Sequence, residues 1–156
     1  MSLNLDKTDF KILKILQEQG RITNIQLSND VGLSPAPTLE RVRKLENSGI
    51  IKSYHAIADA EALGLGIKTY IQISLNWHKL DAINNFISQI NDIDEIVECH
   101  HITGAADFLL KVIIKDMNSY EKLILDKLSK IEEIGQLQTM MILSTFKQSR
   151  TLPLVY

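Results

Sequence analysis

The sequence predicts an α+β protein with two domains, an all-helical domain followed by one that mixes strands and helices. Three stretches with helical spacing of apolar residues fill the first sixty positions. The apolar period changes after Gly49, and from Ile67 the pattern predicts strand, helix, strand, strand, helix, strand. We therefore predict domains at residues 1–58 and 67–148, a linker at 59–66, and a C-terminal tail at 149–156.

The first two helices are marked by their N-terminal caps. Asp6 is placed to cap a helix over about Lys7–Gln19. Thr23 and Gln26 have the spacing of a capping box, in which each side chain satisfies a backbone N–H that the helix leaves free. A short second helix is then expected to run to about Asp30.

Pro35 and Pro37 mark the start of the third helix. The first N–H groups of a helix have no internal acceptor, so proline there loses no hydrogen bond, and its fixed φ favours the first turn. Ser34 is then the N-cap residue. The apolar positions predicted to face the core are Leu39, Val42 and Leu45.

Two helices joined by a short glycine-containing turn at Gly32 are typical of a helix-turn-helix. Ala36 and Pro37 are small enough to let the second helix enter the major groove, where polar side chains contact base edges. Arg41, Lys44 and the first-turn amides are predicted to hold phosphates. The candidate DNA-binding residues are Thr23, Asn24, Ser34, Ala36, Pro37, Glu40, Arg41 and Lys44. The alternative is a plain three-helix bundle whose arginines form a solvated face.

The segment after Gly49 is rich in β-prone residues, which predicts a wing hairpin or a hinge strand from about residue 50. Apolar and polar residues then alternate from Ile67, and further strands are expected at Ile93–Thr103, Asp107–Lys115 and Gln136–Phe146. Two βαβ halves of similar length predict a ferredoxin-like sandwich. Both helices cover one sheet face, and apolar residues on the other face favour a partner there.

Composition excludes several classes of function. The net charge is −2, and residues 1–60 carry eight Lys or Arg against seven Asp or Glu, so a polyanion needs a focused patch repeated by oligomerisation. Cys99 stands alone, which argues against a disulfide or a zinc site. His100 and His101 are adjacent on a predicted strand and point to opposite faces, so no metal is expected.

No nucleophile–base pair, phosphate loop or paired carboxylates occur, which predicts a protein that is not an enzyme and has no cofactor. Without a membrane-length apolar run or a secretory signal, the expected location is the cytoplasm.

Two motifs carry a family resemblance, the sequence LSPAPTLERV at residues 33–42 and the sequence ECHHITGAAD at residues 98–107. With them, the chain resembles the Lrp/AsnC family of transcriptional regulators from about Leu5 to Ser149, and it is most similar to the leucine-responsive branch. The resemblance implies a winged helix-turn-helix joined to an effector-binding and oligomerisation domain. It also implies double-stranded DNA as a partner, dimers that assemble further, commonly to octamers, and amino acids bound where dimers meet.

The resemblance places the effector at the turn between the second and third strands of the second domain, here Gly104 to Asp107. Glycine and neighbouring amides suit an α-carboxylate, and Asp107 can accept from an α-ammonium group. Ala105 and Ala106 stand where the family often has an acidic or aromatic pair, and His101 stands where an aliphatic residue is common, so the ligand's identity stays open. The candidate effector-binding residues are His101, Thr103, Gly104, Ala105, Asp107, Met140 and Ile142.

The last two of these candidates, Met140 and Ile142, are expected to form a facing wall from the final strand, which favours an effector with an apolar side chain. The alternative is that the turn is only a hairpin connection. The predicted function is thus a cytoplasmic, nucleoid-associated and sequence-specific regulator whose assembly and operator affinity change with an amino acid. The alternative function is an amino-acid-binding or DNA-organising oligomer without effector-controlled promoter function.

Overall fold

The computed structural model describes residues 4–154, which divide into two compact units. Residues 4–57 and 146–154 belong to the first unit, and residues 58–145 form the second. The chain thus returns to the first unit after completing the second, a feature for which the sequence offered no prediction. No helix within the described residues is both long and apolar enough to cross a membrane.

The first unit begins with three helices, as the sequence predicts. They are α1 (Lys7–Glu18), α2 (Asn24–Val31) and α3 (Pro35–Asn47). Capping boxes start α1 and α2, because Asp6 and Thr23 accept from the amides of Asp9 and Gln26, whose side chains bond back to the caps. The core of this unit consists of Ile12, Leu13, Leu27 and Leu45.

The predicted core face of α3 needs one correction. Leu39 is 38% exposed, whereas Thr38 is fully buried. The Thr38 hydroxyl donates to the Ser34 carbonyl at 3.0 Å, which satisfies its polar group inside the core. The inward line therefore runs through Thr38, Val42 and Leu45, and Leu39 lies to one side. Apolarity alone could not reveal a buried threonine that bonds to its own helix.

The strand predicted at residues 50–57 is absent from the described chain. The amides of Ile50 and Ile51 bond to the Leu45 carbonyl and finish the end of α3. Beyond them, no segment within residues 4–154 pairs with this stretch to form a sheet. A strand requires a neighbouring backbone, so β-prone residues without one stay extended and unpaired.

The second unit is a four-stranded antiparallel sheet in the order β2-β3-β1-β4, with helices on one face. This order confirms the predicted ferredoxin-like sandwich. Its elements are β1 (Ile67–Leu75), α4 (Leu80–Asn91), β2 (Ile96–His101), β3 (Phe108–Ile114), α5 (Met117–Lys122) and β4 (Ile134–Met141). A π-helical turn, Leu123–Lys127, and a 3₁₀ turn, Leu128–Lys130, continue α5.

Two strand boundaries differ from those predicted. The second strand starts at Ile96, because Ile93 lies in a turn whose amide bonds to the Ile90 carbonyl, although its side chain is buried. The last strand starts at Ile134 and ends at Met141, and the Ile142 amide makes a further bond to the Lys68 carbonyl. Beyond that bond the chain runs past the first residue of β1, so it loses its pairing partner.

Candidate DNA-binding and effector sites

The turn between α2 and α3 sets the direction of α3. Gly32 ends α2 with a φ of 77°, in the left-handed region that glycine enters without strain. The Leu33 amide bonds back to the Ser28 carbonyl at 2.9 Å. Across the turn, the Asn24 side-chain amide donates to the Pro35 carbonyl at 2.8 Å. The first residue of α2 therefore holds the first residue of α3.

The start of α3 offers fewer backbone donors than the sequence suggested. Ser34 is the N-cap residue, but its hydroxyl makes no capping bond. Such a hydroxyl normally accepts from the second or third helical N–H, and the third position is Pro37, which has none. With Pro35 also lacking an N–H, Ala36 is the sole donor among the first three positions. The predicted phosphate site on the first-turn amides thus shrinks to one group, while the exposed Ser34 hydroxyl stays available.

The outward face of α3 combines small residues with basic ones. Ala36 and Glu40 are exposed and lie opposite the buried Leu45 at the helical period. Arg43 and Lys44 are exposed on the same side, one turn farther along. Arg43 is absent from the DNA-binding candidates predicted from the sequence, where Leu39 was taken as part of the core face. Once Thr38 takes that role, Arg43 falls near the middle of the outward face.

Arg41 has a structural environment that the sequence did not predict. Its Nη1 lies 2.7 Å from Asp6 Oδ2 and 2.8 Å from Asp9 Oδ1. Asp9 is only 3% exposed. The pKa of Asp6 is lowered first by the hydrogen bond from the Asp9 amide and then by the Arg41 guanidinium. The pKa of Arg41 is raised by both carboxylates, and Asp9 has the larger effect. Arg41 therefore holds α3 against the start of α1, and its charge is already paired with two carboxylates.

Thr23 and Asn24 are likewise engaged within the unit. The Thr23 hydroxyl donates to Gln26 Oε1 at 2.9 Å and accepts from the Gln26 amide at 3.2 Å. Asn24 Oδ1 is buried without a hydrogen-bond partner among the described residues, while its amide nitrogen holds Pro35. Both side chains position the helices.

In the second unit, the turn between β2 and β3 places a glycine where only glycine is unstrained. Gly104 has a φ of 121°, and a Cβ there would meet nothing within 4 Å. The Ile102 amide closes the turn on the Asp107 carbonyl at 2.9 Å. Ala105 is exposed, while Ala106 is buried. The turn thus leaves open space beside an exposed backbone.

Asp107 is oriented by two donors from the end of β1 and the loop after it. Its Oδ2 accepts from the Leu75 amide at 2.8 Å, and its Oδ1 lies 3.0 Å from His78 Nε2. The Leu75 amide chiefly, with His78 in support, lowers the pKa of Asp107. Each carboxylate oxygen retains a further lone pair, so the ionised group can still accept from an ammonium. His78 was not among the residues predicted for this site, because it lies far from the turn in the sequence.

The structure brings together most of the predicted effector residues. The ring of His101 stacks on Phe108, with 5.0 Å between centroids, directly beside the turn. Thr103, Gly104 and Ala105 form the exposed part of that turn. With Asp107, these residues occupy one end of the sheet.

Met140 and Ile142 do not lie at this end within one chain. Phe108, next to the turn, pairs with Ile73, whereas Met140 pairs with Tyr70. Three residues of strand separate these positions, about 10 Å. Because β4 runs antiparallel to β1, its last residues lie at the start of β1, and Ile142 lies farther away still. Within one chain, Met140 and Ile142 therefore do not face the turn, and their predicted role as a facing wall between chains stays a prediction.

Within the described residues, no group of three or more His, Cys, Asp or Glu side chains could hold a metal ion.

Comparisons with known proteins cover both units. Residues 5–52 match the family model for winged helix-turn-helix DNA-binding domains, and residues 68–152 match the Lrp/AsnC ligand binding domain. The leucine-responsive regulatory protein of Klebsiella pneumoniae is 39% identical over 149 residues, which cover 96% of this chain and 91% of that protein. The protein of the same name from Escherichia coli K12 is 38% identical over the same shares.

Solved structures agree over nearly the full length. A transcriptional regulator from Neisseria meningitidis, determined in complex with L-Met, matches with a TM-score of 0.93 and 37% identity over 96% of this chain and 97% of that one. An AsnC family transcriptional regulator from Agrobacterium tumefaciens matches with a TM-score of 0.90 and 28% identity over the same shares. On this evidence the chain belongs to the Lrp/AsnC family of transcriptional regulators, with a winged helix-turn-helix DNA-binding domain and a ligand-binding domain.

Proposed function

We propose that this regulator binds operator DNA through α3 and changes its assembly and operator affinity when an amino acid occupies the Gly104–Asp107 turn. The observation that carries the proposal is the pairing, in one chain, of an outward basic helix face with an exposed turn beside an oriented carboxylate. Dimers that assemble further, to octamers, would present several such helices to DNA. Two α3 helices of a dimer would enter successive major grooves.

On the DNA side, Ser34 and Glu40 are our candidates for contacts to base edges. A glutamate accepts from the cytosine amino group, and serine can pair with any base. Arg43 and Lys44 would bind phosphates or guanine. Arg41 and Asn24 support these contacts from behind, since their side chains hold α3 in place, while Thr23 caps the start of α2.

On the effector side, the Gly104 backbone would receive the α-carboxylate and Asp107 the α-ammonium group. The alanines of the turn leave room for the ligand. Met140 and Ile142 could supply an apolar wall only from a second copy of the chain, because they lie at the far end of their own sheet. The complex of the Neisseria relative with L-Met makes methionine the first candidate here.

A second candidate function is a DNA-organising oligomer without effector control. It is favoured by one observation, that both Asp107 oxygens already accept hydrogen bonds from the same chain. In either case we propose that the protein acts on DNA in the cytoplasm, at the nucleoid, and performs no catalysis.

The deciding experiment is a thermal-shift screen of the purified protein with each of the twenty amino acids, beginning with L-methionine and L-leucine. A ligand that binds only the folded state stabilises it by about 2.7 kcal/mol at one hundred times its Kd. We expect one or a few apolar amino acids to raise the melting temperature. Their addition should also change the apparent molecular mass by light scattering.

Asp107→Asn is the matched test of the site. Asparagine keeps an acceptor for the Leu75 amide but removes the charge that an ammonium needs. The variant should fold and bind DNA yet lose the amino-acid shift. Asp126→Asn, at an exposed position on the helical layer, serves as the control and should respond as the unmodified protein does. A screen in which none of the twenty shifts the protein would favour the second candidate function.

A further inference from the structure

Helix α1 carries a row of lysines on the face turned away from the core. Lys7, Lys11 and Lys14 follow at spacings of four and three residues, so they lie one above the other, and all three are exposed. Asp9 and Ile12 of the same helix are buried on the opposite side. Neither the helix-turn-helix nor the effector turn makes use of this row.

The row disfavours the folded state of the isolated protein. Like charges at these spacings repel one another on a helix surface. Lys7 is also the first residue of α1, where the helix dipole is positive and disfavours a cation. Within residues 4–154, none of the three lysines forms an ion pair. A polyanion bound along this face would relieve all of these repulsions.

The C-terminal tail borders this face and adds no acidic side chain to it. Residues 146–154 contain Lys147 and Arg150 and no carboxylate side chain. The tail is held on α1 by a 2.6 Å hydrogen bond from the Leu152 amide to Gln17 Oε1, and its residues 151–154 border the same cleft as the lysines. Glu18, at the end of α1, is the acidic residue that borders this cleft.

The lysine row and α3 lie on different sides of α1. Helix α3 packs on the core side of α1, where Leu45 shares a cluster with Ile12 and Arg41 bonds to Asp9. The lysines lie on the other side of α1, and a helix with its side chains is about 10 Å across. Any DNA on the lysines is therefore a different segment from the DNA on α3.

The spacing of the row fits a DNA backbone. Seven residues of α-helix rise about 10 Å. One DNA strand presents a phosphate about every 3.4 Å along the axis, so a strand presents at least three phosphates over this length, enough for one at each lysine. We propose that the α1 lysine row binds the backbone of a second DNA segment, without sequence preference. Each DNA-binding domain would then contact two segments, one read by α3 and one held by α1.

The test is a titration with an excess of a duplex of about 30 base pairs, selected from a random library for tight binding, at several salt concentrations, in which all binding classes are resolved. The variant Lys7→Gln/Lys11→Gln/Lys14→Gln should lose a weak class while keeping the affinity of the strong class within about twofold. The log–log salt slope of the lost class should be about 2.7, from 0.9 for each of three contacts. The melting temperature should not fall, because repulsion within α1 is removed.

Two controls separate this result from general effects. Lys79→Gln/Lys115→Gln/Lys122→Gln removes the same charge from exposed positions of the second unit and should leave both classes intact. Lys44→Ala should weaken the strong class alone. The proposal is overturned if the α1 variant retains the weak class, because the row would then not bind DNA and its ligand would be another polyanion. It is equally overturned if that variant loses the strong class, which would place the row on the duplex held by α3.

Discussion

Helix α3 and the Gly104–Asp107 turn, the two candidate sites, use their polar side chains in different ways. On α3, the residues that face outward are separate from those that hold the helix, since Arg41 and Asn24 hold it from behind while Arg43 and Lys44 remain exposed. At the Gly104–Asp107 turn, one carboxylate is the candidate for both holding the fold and binding the ligand. Asp107 fixes the turn to the end of β1 and is also the candidate ligand for an ammonium.

This difference determines how mutations can be interpreted. On α3, the residues that hold the helix and the residues that face outward can be mutated separately. We therefore expect the first kind of mutation to lower stability and the second to lower DNA affinity. At the turn, any change of Asp107 alters both the fold and the site. Conservative substitutions and backbone changes are therefore the better probes there.

The largest effect that we expect is from Arg41→Ala. The substitution leaves Asp9, 3% exposed, as a carboxylate without its cation, and breaking a buried pair in this way costs about 3 kcal/mol. Urea denaturation should show that loss in the free energy of unfolding. The salt slope of DNA binding, measured where the variant is still folded, should stay unchanged.

Arg43→Ala is the matched control for that prediction, because it removes the same side chain from the outward face. Its free energy of unfolding should stay within about 0.5 kcal/mol of the parent's, since the position is exposed. Its salt slope should fall by about one unit. If Arg41→Ala instead lowered the slope and spared stability, Arg41 would be a phosphate contact and the separation of tasks on α3 would fail.

The same contrast explains what the sequence could predict. The Asp6 cap, the capping box of Thr23 and Gln26, and the proline start of α3 depend on residues a few positions apart, and all were predicted from the local sequence. The contacts of Asn24 with Pro35 and of Arg41 with Asp9 join separate helices, so no local sequence pattern predicts them. The distance of Met140 from the turn in its own sheet depends on strand pairing, which periodicity does not specify.

A smaller effect is expected at the turn itself, from Gly104→Ala. The new methyl group meets no atom within 4 Å, so the cost comes from holding alanine at a φ of 121°. Such backbone strain costs about 1–2 kcal/mol. Gly66→Ala is the control, because its added Cβ would make ordinary contact with the Lys115 carbonyl at 3.8 Å without a positive φ. Equal losses in the two variants, measured by thermal unfolding, would show that the turn conformation is not what requires the glycine.

The smallest expected effect is a difference between the two units in acid. Among residues 4–154, five carboxyl groups have a pKa lowered by hydrogen bonds or ion pairs, and four of them lie in the second unit. They are Asp6 in the first unit and Glu95, Glu98, Asp107 and Asp116 in the second. For the three aspartates the main cause is a hydrogen bond from a backbone amide: Asp9 donates to Asp6, Leu75 to Asp107 and Ser119 to Asp116. For the two glutamates it is a hydrogen bond from a lysine side chain: Lys127 donates to Glu95 and Lys111 to Glu98.

A carboxyl group whose pKa is lower in the folded state contributes stability above its unfolded pKa and loses it as the pH falls through the folded value. The ordinary values are 3.8 for Asp and 4.5 for Glu, so the loss begins below about pH 4.5. Because more of these groups lie in the second unit, its native signals should disappear at a higher pH than those of the first, by less than about one pH unit. Trp77, the single tryptophan, reports on the second unit by fluorescence, and amide resonances of α3 report on the first. Loss of the α3 resonances before the Trp77 transition would show that the Arg41 ion pairs, and not the groups of the second unit, set the acid limit of this protein.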